Sequence, residues 1–329
     1  MHFKKLSESR FSKIYIITTR RCNLRCRYCY LRVRNALAYP SLRAYDAQMN
    51  YVEKFVDFIE NCIARGSIRK VVEVIFFGGE PTLNIEPILY VTKKLNRFME
   101  QKRQGPKISF NISTNGVLCD PELVDIFSKY RMNVVLSLDG PPNIHNYHRP
   151  KIDGQPSFND VVNTLEELLR LHKQKRIHLS IQATISKHTL KKLSLIDLAK
   201  WFINTYGVVD LSFYPVSTSA STAYLKPSND KMICAWKEFF DYLFDGAVNN
   251  GEFPLIEYRT LSTMLRLILI CAGKLKPSSI CLAGLEVLSL SVNGDLCACG
   301  TASLDWLTSL SFLPMMMSGN ITARFMRNN

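Results

Sequence analysis

The feature that most constrains this chain is an alternation of short apolar runs with longer amphipathic stretches through its first two-thirds. Ile14 to Thr18, Val71 to Phe77, Ile108 to Ser113, Val134 to Leu138, Ile177 to Thr184 and Val208 to Tyr214 read as strands. Between them lie helical patterns over Asp46 to Ala64, Glu86 to Gln101, a stretch from about Pro121, Phe158 to His172 and Leu190 to Tyr206. Strands separated by helices are joined by crossovers rather than hairpins, which makes the sheet parallel. Runs this apolar fit strands covered on both faces. The chain is therefore expected to be α/β, with a partial (β/α)6 TIM-like barrel core.

After the sixth strand the pattern changes. Ser217 to Pro227 is rich in Ser, Thr and Ala and reads as a linker, and Asp230 to Val248 reads as a helix. From Cys271 the chain is expected to form a short Cys-containing C-terminal extension, a hairpin turning at Asn293-Gly294. No apolar run is long enough to span a bilayer, and the opening MHFKKLSESR has no apolar signal core, so a cytoplasmic protein without a membrane partner is expected. Ten cysteines in a reducing compartment point to metal rather than disulfides. A hydrophobic content of 47% excludes a disordered chain. The formal net charge of +14 fits a nucleic acid, an anionic cofactor, an acidic redox partner or a well-solvated basic surface, and no single basic tail accounts for it.

The strongest chemical signal is Cys22-Asn-Leu-Arg-Cys26-Arg-Tyr-Cys29. It follows the first strand, at the end where active sites of parallel α/β folds gather. A short loop there can aim three sulfurs at one point. Thiolates suit zinc or iron–sulfur clusters. A structural zinc wants four ligands and no local fourth is present, whereas three cysteines on a four-iron cluster leave one iron open to a substrate.

Three later strand ends also carry ligand-binding types. Phe76-Phe77-Gly78-Gly79-Glu80-Pro81 combines glycines that let backbone approach a ligand with a carboxylate that accepts from an ammonium; alone it is also an ordinary strand-to-helix turn. Ser113-Thr114-Asn115-Gly116 offers hydroxyl and amide groups where a ribose fits, or a plain Asn-Gly turn. Ser137-Leu138-Asp139-Gly140-Pro141 is followed by His145, His148 and Arg149. The two histidines read as surface polar residues, and Asp139 either caps the turn or faces substrate. Cys62, Cys119 and Cys234 read as packing residues, and Met315 to Met317 as a hydrophobic contact.

The cysteine spacing, with an aromatic before the last Cys and the other elements in this order, resembles the radical S-adenosylmethionine (SAM) superfamily. The resemblance covers roughly residues 12 to 215. It implies that Cys22, Cys26 and Cys29 hold a 4Fe-4S cluster whose open iron takes the amino and carboxylate groups of SAM. It implies reductive cleavage to a 5′-deoxyadenosyl radical that abstracts hydrogen. Tyr28 matches the aromatic near the adenine, and Gly78, Gly79 and Glu80 the element that binds the SAM amino group. Ser113 and Asn115 fall where the ribose is expected, and Ser137 and Arg149 are expected at the ribose or carboxylate.

The stretch Ser137 to Arg149 resembles the peptide- and protein-modifying branch, which includes sulfatase-maturing enzymes and carries the Cys-rich extension called SPASM, or its shorter relative, twitch. Cys281 through Cys297 and Cys299, with Ser318 to Ile321, resembles the start of that extension. A full extension has further cysteines, so at most one auxiliary cluster is expected, from Cys281, Cys299 and either Cys297 or Cys271; these cysteines otherwise read as small packing residues. Gly300 stands where sulfatase-maturing relatives place an Asp base, which speaks against sulfatase maturation itself. The expected division is a radical SAM core over 1–215, a linker and helical segment over 216–270, and a shortened extension over 271–329. Six arginines crowd the cysteine loop: Arg20, Arg21, Arg25, Arg27, Arg32 and Arg34. They favour a reduced cluster and an acidic electron donor such as a flavodoxin or ferredoxin, or they form a solvated loop. The expected reaction is radical modification of a peptide or protein. Modification of RNA or a small metabolite, and a non-catalytic iron–sulfur binding protein, stand as alternatives.

Overall fold

The computed structural model describes residues 11–33, 42–102, 105–118, 120–208, 210–216, 220–249, 256–257 and 286–297. Strand β1 (Phe11–Thr19) leads through the short helix α1 (Tyr30–Val33) to α2 (Met49–Ala64) and β2 (Ile68–Gly78). Then come α3 (Glu86–Glu100), β3 (Lys107–Thr114), α4 (Pro121–Lys129), β4 (Asn133–Ser137), α5 (Pro142–His148), α6 (Phe158–Lys173) and β5 (His178–Ile185). The order continues with α7 (Lys187–Lys192), α8 (Leu195–Tyr206), β6 (Asp210–Pro215), α9 (Asn229–Asn249) and the two-residue β7 (Ile256–Glu257). Strands β8 (Val287–Leu290) and β9 (Leu296–Cys297) close the described chain.

The sheet order is β7-β6-β5-β4-β3-β2-β1-β8-β9. Every pair of these strands is parallel except β8 with β9. Strands β1 to β6 follow chain order, as right-handed crossovers with helices outside demand. This is the partial (β/α)6 barrel, open because β1 pairs with β8 instead of β6. The tail hairpin is present, turning across Ser291 to Asp295. That β8 joins the barrel sheet beside β1 has no precedent in the sequence pattern.

The strands are asymmetric across their two faces. Val74 and Phe76, Phe110 and Ile112, Val134 and Leu136, Ile181 and Ala183, and Leu211 and Phe213 are buried in one core beneath the helices. The alternate residues Phe77, Ser113, Ser137, Gln182 and Tyr214 line an interior cavity. Strict period-2 geometry produces this division. Helices cover one face of the strands, and the second face is the site wall.

The helices show why they start and stop where they do. Asp120 caps α4, its carboxylate accepting from the Glu122 N–H at 2.9 Å, with Pro121 in the first turn. Helix α6 has Asp160 in its first turn and Arg170, His172 and Lys173 in its last, matching the helix dipole. The expected helix from Leu190 to Tyr206 is two helices. Leu193 is extended, and Ser194 caps α8 by accepting from the Asp197 N–H at 3.0 Å. The expected linker contains a 3-10 turn over Ala220–Leu225, with Thr222 and Leu225 buried. Cys62 packs half-buried against the core, whereas Cys234 is exposed on α9 and is not a packing residue. Cys119, Cys271, Cys281, Cys299, Met315 to Met317 and Ser318 to Ile321 lie outside the described residues. None of the described helices is long and apolar enough to cross a membrane.

Candidate active site

The cysteine loop leaves β1 at Thr19 and is tied down before the first thiol. Arg21 is buried and makes a two-pronged ion pair with Asp46, Nε to Oδ1 and a terminal nitrogen to Oδ2, both at 2.7 Å. That nitrogen also donates to the Leu83 carbonyl at 2.5 Å. The charge of Arg21 is thus matched locally, and the residue is an anchor, not a free cation. The far side of the loop is stitched to the end of α5. The Arg25 N–H donates to the Pro150 carbonyl at 2.7 Å and the Arg27 N–H to the His148 carbonyl at 2.8 Å. Arg32 and Arg34 have no described side chain.

Held this way, Cys22, Cys26 and Cys29 line one cavity of about 280 Å³ at the carboxyl ends of the strands. Cys22 is buried and the other two are half-buried. Burial pushes the Cys22 thiol well above its usual range, and the nearby Cys26 and Glu80 add to this. Burial pushes Cys26 up to about 12, against the pull of the Arg149 charge. Thiols held this way lose their protons only when a metal replaces them. Among the described residues no three Cys, His, Asp or Glu side chains converge as the ligand set of a single ion. Zinc would gather its sulfurs at about 2.3 Å from one point. Three thiols lining one cavity of this volume suit a multi-atom cluster.

Gly78 and Gly79 serve a nearer purpose than ligand approach. Gly78 has φ +153°, and a Cβ there would lie 2.2 Å from the Thr19 carbonyl oxygen; a Cβ on Gly79 would lie 2.2 Å from that of Arg21. Without side chains, the Gly79 and Glu80 N–H groups donate to those two carbonyls at 2.9 and 2.7 Å. The end of β2 is thereby zipped onto the cysteine loop, and Glu80 is delivered to the cavity wall. The Glu80 carboxylate is buried and accepts from Thr114 Oγ1 at 2.7 Å, the Asn115 N–H at 2.7 Å and Thr82 Oγ1 at 2.9 Å. Burial raises its pKa, and these hydrogen bonds oppose the rise.

The opposite wall is organised by Asp139. Its carboxylate, wholly buried, accepts from the Tyr28 hydroxyl at 2.6 Å and the Thr184 N–H at 3.0 Å, and pairs with Arg149 Nε at 3.1 Å. Burial pushes the carboxyl upward, but the Arg149 guanidinium and the other polar groups around it together reverse this, so its pKa is lowered. Burial works against the Arg149 charge too, and Asp139 with Tyr28 and Cys26 together outweigh that, leaving its pKa raised. The guanidinium carbon sits 5.3 Å from the centre of the Tyr28 ring. Asp139 therefore neither caps a turn nor presents itself free to substrate. It joins the cysteine loop, β4, β5 and Arg149 into one unit.

His145 and His148 are both fully buried, which corrects their reading as surface residues. His145 Nδ1 accepts from the Asp139 N–H at 3.3 Å, so its Nε2 carries the proton toward Ser157 Oγ at 3.1 Å. Ser186 Oγ accepts from the His188 and Thr189 N–H groups at 3.0 and 3.2 Å, which leaves its own hydrogen for His148 Nε2 at 2.7 Å. His148 then carries its proton on Nδ1, 3.7 Å from Asp139 Oδ2. Burial drives the two imidazoles down to about 3 and about 4, so both are neutral near pH 7.

Of the residues expected at the site, Tyr28, Gly78, Gly79, Glu80, Ser113, Asn115, Ser137 and Arg149 all line the cavity with the three cysteines. Gln182, Thr184, Tyr214 and Pro215 line it as well and were missed. Their only signal was position, at the ends of the fifth and sixth strands. In the tail, Cys297 is buried in β9, paired with Ser289 of β8.

The chain matches the Radical SAM superfamily over residues 16–191. It is 27% identical over 211 residues to the radical SAM cyclopropyl synthase TigE of Paramaledivibacter caminithermalis, a match covering 61% of this chain and 42% of that protein. It is 27% identical over 179 residues to a cysteine-type anaerobic sulfatase-maturating enzyme of Clostridium perfringens, covering 53% of this chain and 44% of the relative. These matches span less than half the length of either relative. Among solved structures, native anSMEcpe with bound AdoMet and the Cp18Cys peptide superimposes with a TM-score of 0.66 at 21% identity, covering 88% of this chain and 74% of that one. Streptococcus suis SuiB bound to precursor peptide SuiA superimposes with a TM-score of 0.58 at 17% identity, covering 93% and 62%. The chain belongs to the radical SAM superfamily, enzymes that work with a 4Fe-4S cluster and S-adenosylmethionine.

Proposed function

We propose that this protein modifies a peptide or protein side chain by hydrogen abstraction, with Cys22, Cys26 and Cys29 as cluster ligands. The observation that carries the reading is one cavity lined by three thiols, the Glu80 carboxylate and the Arg149 cation. When bound, the cluster and SAM supply one-electron reductive cleavage to methionine and a 5′-deoxyadenosyl radical. In this reading the chain's residues bind and orient. Glu80 offers a carboxylate for the SAM ammonium, while Arg149, already aligned by Asp139, offers a cation for the SAM carboxylate. Ser113, Ser137 and the Tyr28 ring flank the nucleoside, and Gln182, Thr184 and Tyr214 face the side from which substrate approaches.

The peptide class rests on kinship: relatives are named sulfatase-maturating enzymes, and anSMEcpe and SuiB are described with bound peptides. An acidic electron donor is supported by the exposed cations flanking the cysteine loop. Arg25, Arg27, Lys187, Lys191 and Lys192 are exposed and make no ion pair among the described residues. In this reading Cys297, with Cys281 and Cys299, would hold an auxiliary cluster, and the chain divides at about residues 215 and 270. The test is anaerobic reconstitution followed by reduction with SAM present. Wild-type protein should release 5′-deoxyadenosine, and the triple alanine variant of Cys22, Cys26 and Cys29 should release none. Equal release from both, or none from a wild type that holds iron and sulfide, overturns the proposal.

A further inference from the structure

Asn115 stands at the end of β3, where resemblance places a ribose, yet its side chain is committed elsewhere. Its Oδ1 accepts from the Val117 N–H at 3.0 Å. Its Nδ2 donates to Asn23 Oδ1 at 2.8 Å and lies 3.9 Å from Cys22 Sγ, within reach of a hydrogen bond to sulfur. A carboxamide nitrogen carries two hydrogens, so one goes to Asn23 and the other to the first cysteine. The Asn115 backbone N–H is held by Glu80 at 2.7 Å, which fixes the residue from behind. The Leu24 backbone hydrogen-bonds the same thiol. Asn23, the neighbour of Cys22, keeps its own Nδ2 buried without a partner. Cys22 thus takes hydrogen bonds from a side-chain amide and a backbone N–H, while Cys26 takes one from its own backbone and feels the Arg149 charge.

Hydrogen bonds to ligand sulfurs stabilise the more electron-rich, reduced form of an iron–sulfur cluster and raise its potential. We propose that Asn115 is a positioning residue for Cys22, its amide donating to that sulfur and holding the cluster's reduction potential up, instead of contacting the SAM nucleoside. This rests on the radical SAM reading of the cysteine triad. Asn23 is the brace that aims the amide, since its Oδ1 takes the hydrogen not given to sulfur.

The experiment uses the full chain, reconstituted anaerobically, as wild type, Asn115→Leu and Asn23→Ala. Iron and sulfide content, the cluster midpoint potential by spectroscopically monitored titration, and the SAM dissociation constant are measured on each. Asn115→Leu keeps the bulk and removes the donor, so its potential should shift negative with SAM affinity unchanged. Asn23→Ala should shift it in the same direction by less. An unmoved potential in variants that keep the cluster overturns the proposal. So does a loss of SAM affinity without a shift, which would return Asn115 to the ribose. If Asn115→Leu fails to hold a cluster, Asn23→Ala decides, and cluster loss in both variants overturns tuning in favour of a structural role. A wild type without a four-iron cluster overturns the family reading of the triad and this inference with it.

Discussion

The two buried histidines impose a stability cost that the pH dependence should reveal. Unfolded, each imidazole titrates near 6.5. Folded, burial lowers His145 to about 3 and His148 to about 4. Below pH 6.5 the unfolded chain therefore takes up protons that the native chain refuses. The histidines leave stability untouched above that pH and erode it as pH falls toward 4, by about 1.4 kcal/mol per pH unit for each. Asp139, its carboxyl lowered, adds a loss in the same direction only in stronger acid. Urea unfolding between pH 6.5 and 4.5 should thus show His148→Gln with a slope shallower by about one proton; parallel slopes would refute the neutral, buried assignment. This pair also shows where single-sequence reading fails. Cys22, Cys26, Cys29 and Glu80 were legible because their spacing or their strand-end motif is local. The burial of His145 and His148 depends on Ser157, Ser186 and Asp139, and no local pattern marks those partners. Asp139 itself was visible as a residue but not as a hub, because Tyr28 lies 111 positions away.

Strands and helices were legible where an apolar period ran without competition. The six barrel strands lie within a few residues of their expected bounds, because β-branched and aromatic runs under helices allow few alternatives. The break at Leu193-Ser194 was hidden, since a serine cap inside a helical period resembles an exposed helix position. The docking of β8 beside β1 was hidden for a deeper reason: pairing across some 270 residues leaves no local trace. That docking has a consequence for the cysteine loop. Val292, just past β8, is buried with Ile17 and Leu31 in a small cluster apart from the main core, with Cys29, Tyr30 and Phe77 packed around it. The tail thus backs the loop that carries the third thiol. Val292→Ala should cost about 2 kcal/mol and should also loosen Cys29. Its reconstituted cluster should bleach faster under chelator than that of Leu243→Ala, which opens a cavity at α9, away from the loop. Equal bleaching rates at matched global stability would mean that the tail supports the fold in general and not the loop.

At the scale of the molecule, a net charge of +14 acts through its distribution. Arg21 is matched by Asp46, and Arg149 by Asp139, so neither buried arginine projects its charge far. What remains exposed near the loop is a cationic surface. Arg27 lies 4.7 Å over the Tyr147 ring, Tyr147 stacks on His188 at 3.8 Å, and the charges of Arg27, Lys191 and Lys192 all press the His188 imidazole downward after burial has done so. A surface of one sign steers an oppositely charged partner and raises its rate of encounter, chiefly at low salt. Arg27 lies between Cys26 and Cys29, so a donor arriving there would stand close to the cysteine loop. The Lys191→Glu, Lys192→Glu double variant reverses charge on the outer face of α7, away from the cavity wall. Reduction by an acidic donor protein should slow severalfold in it at low ionic strength. The gap should close as salt shortens the screening length to about 8 Å, and reduction by dithionite should be unchanged. Equal rates with the protein donor at low salt would place the docking face elsewhere, and a parallel loss with dithionite would trace the defect to the site itself.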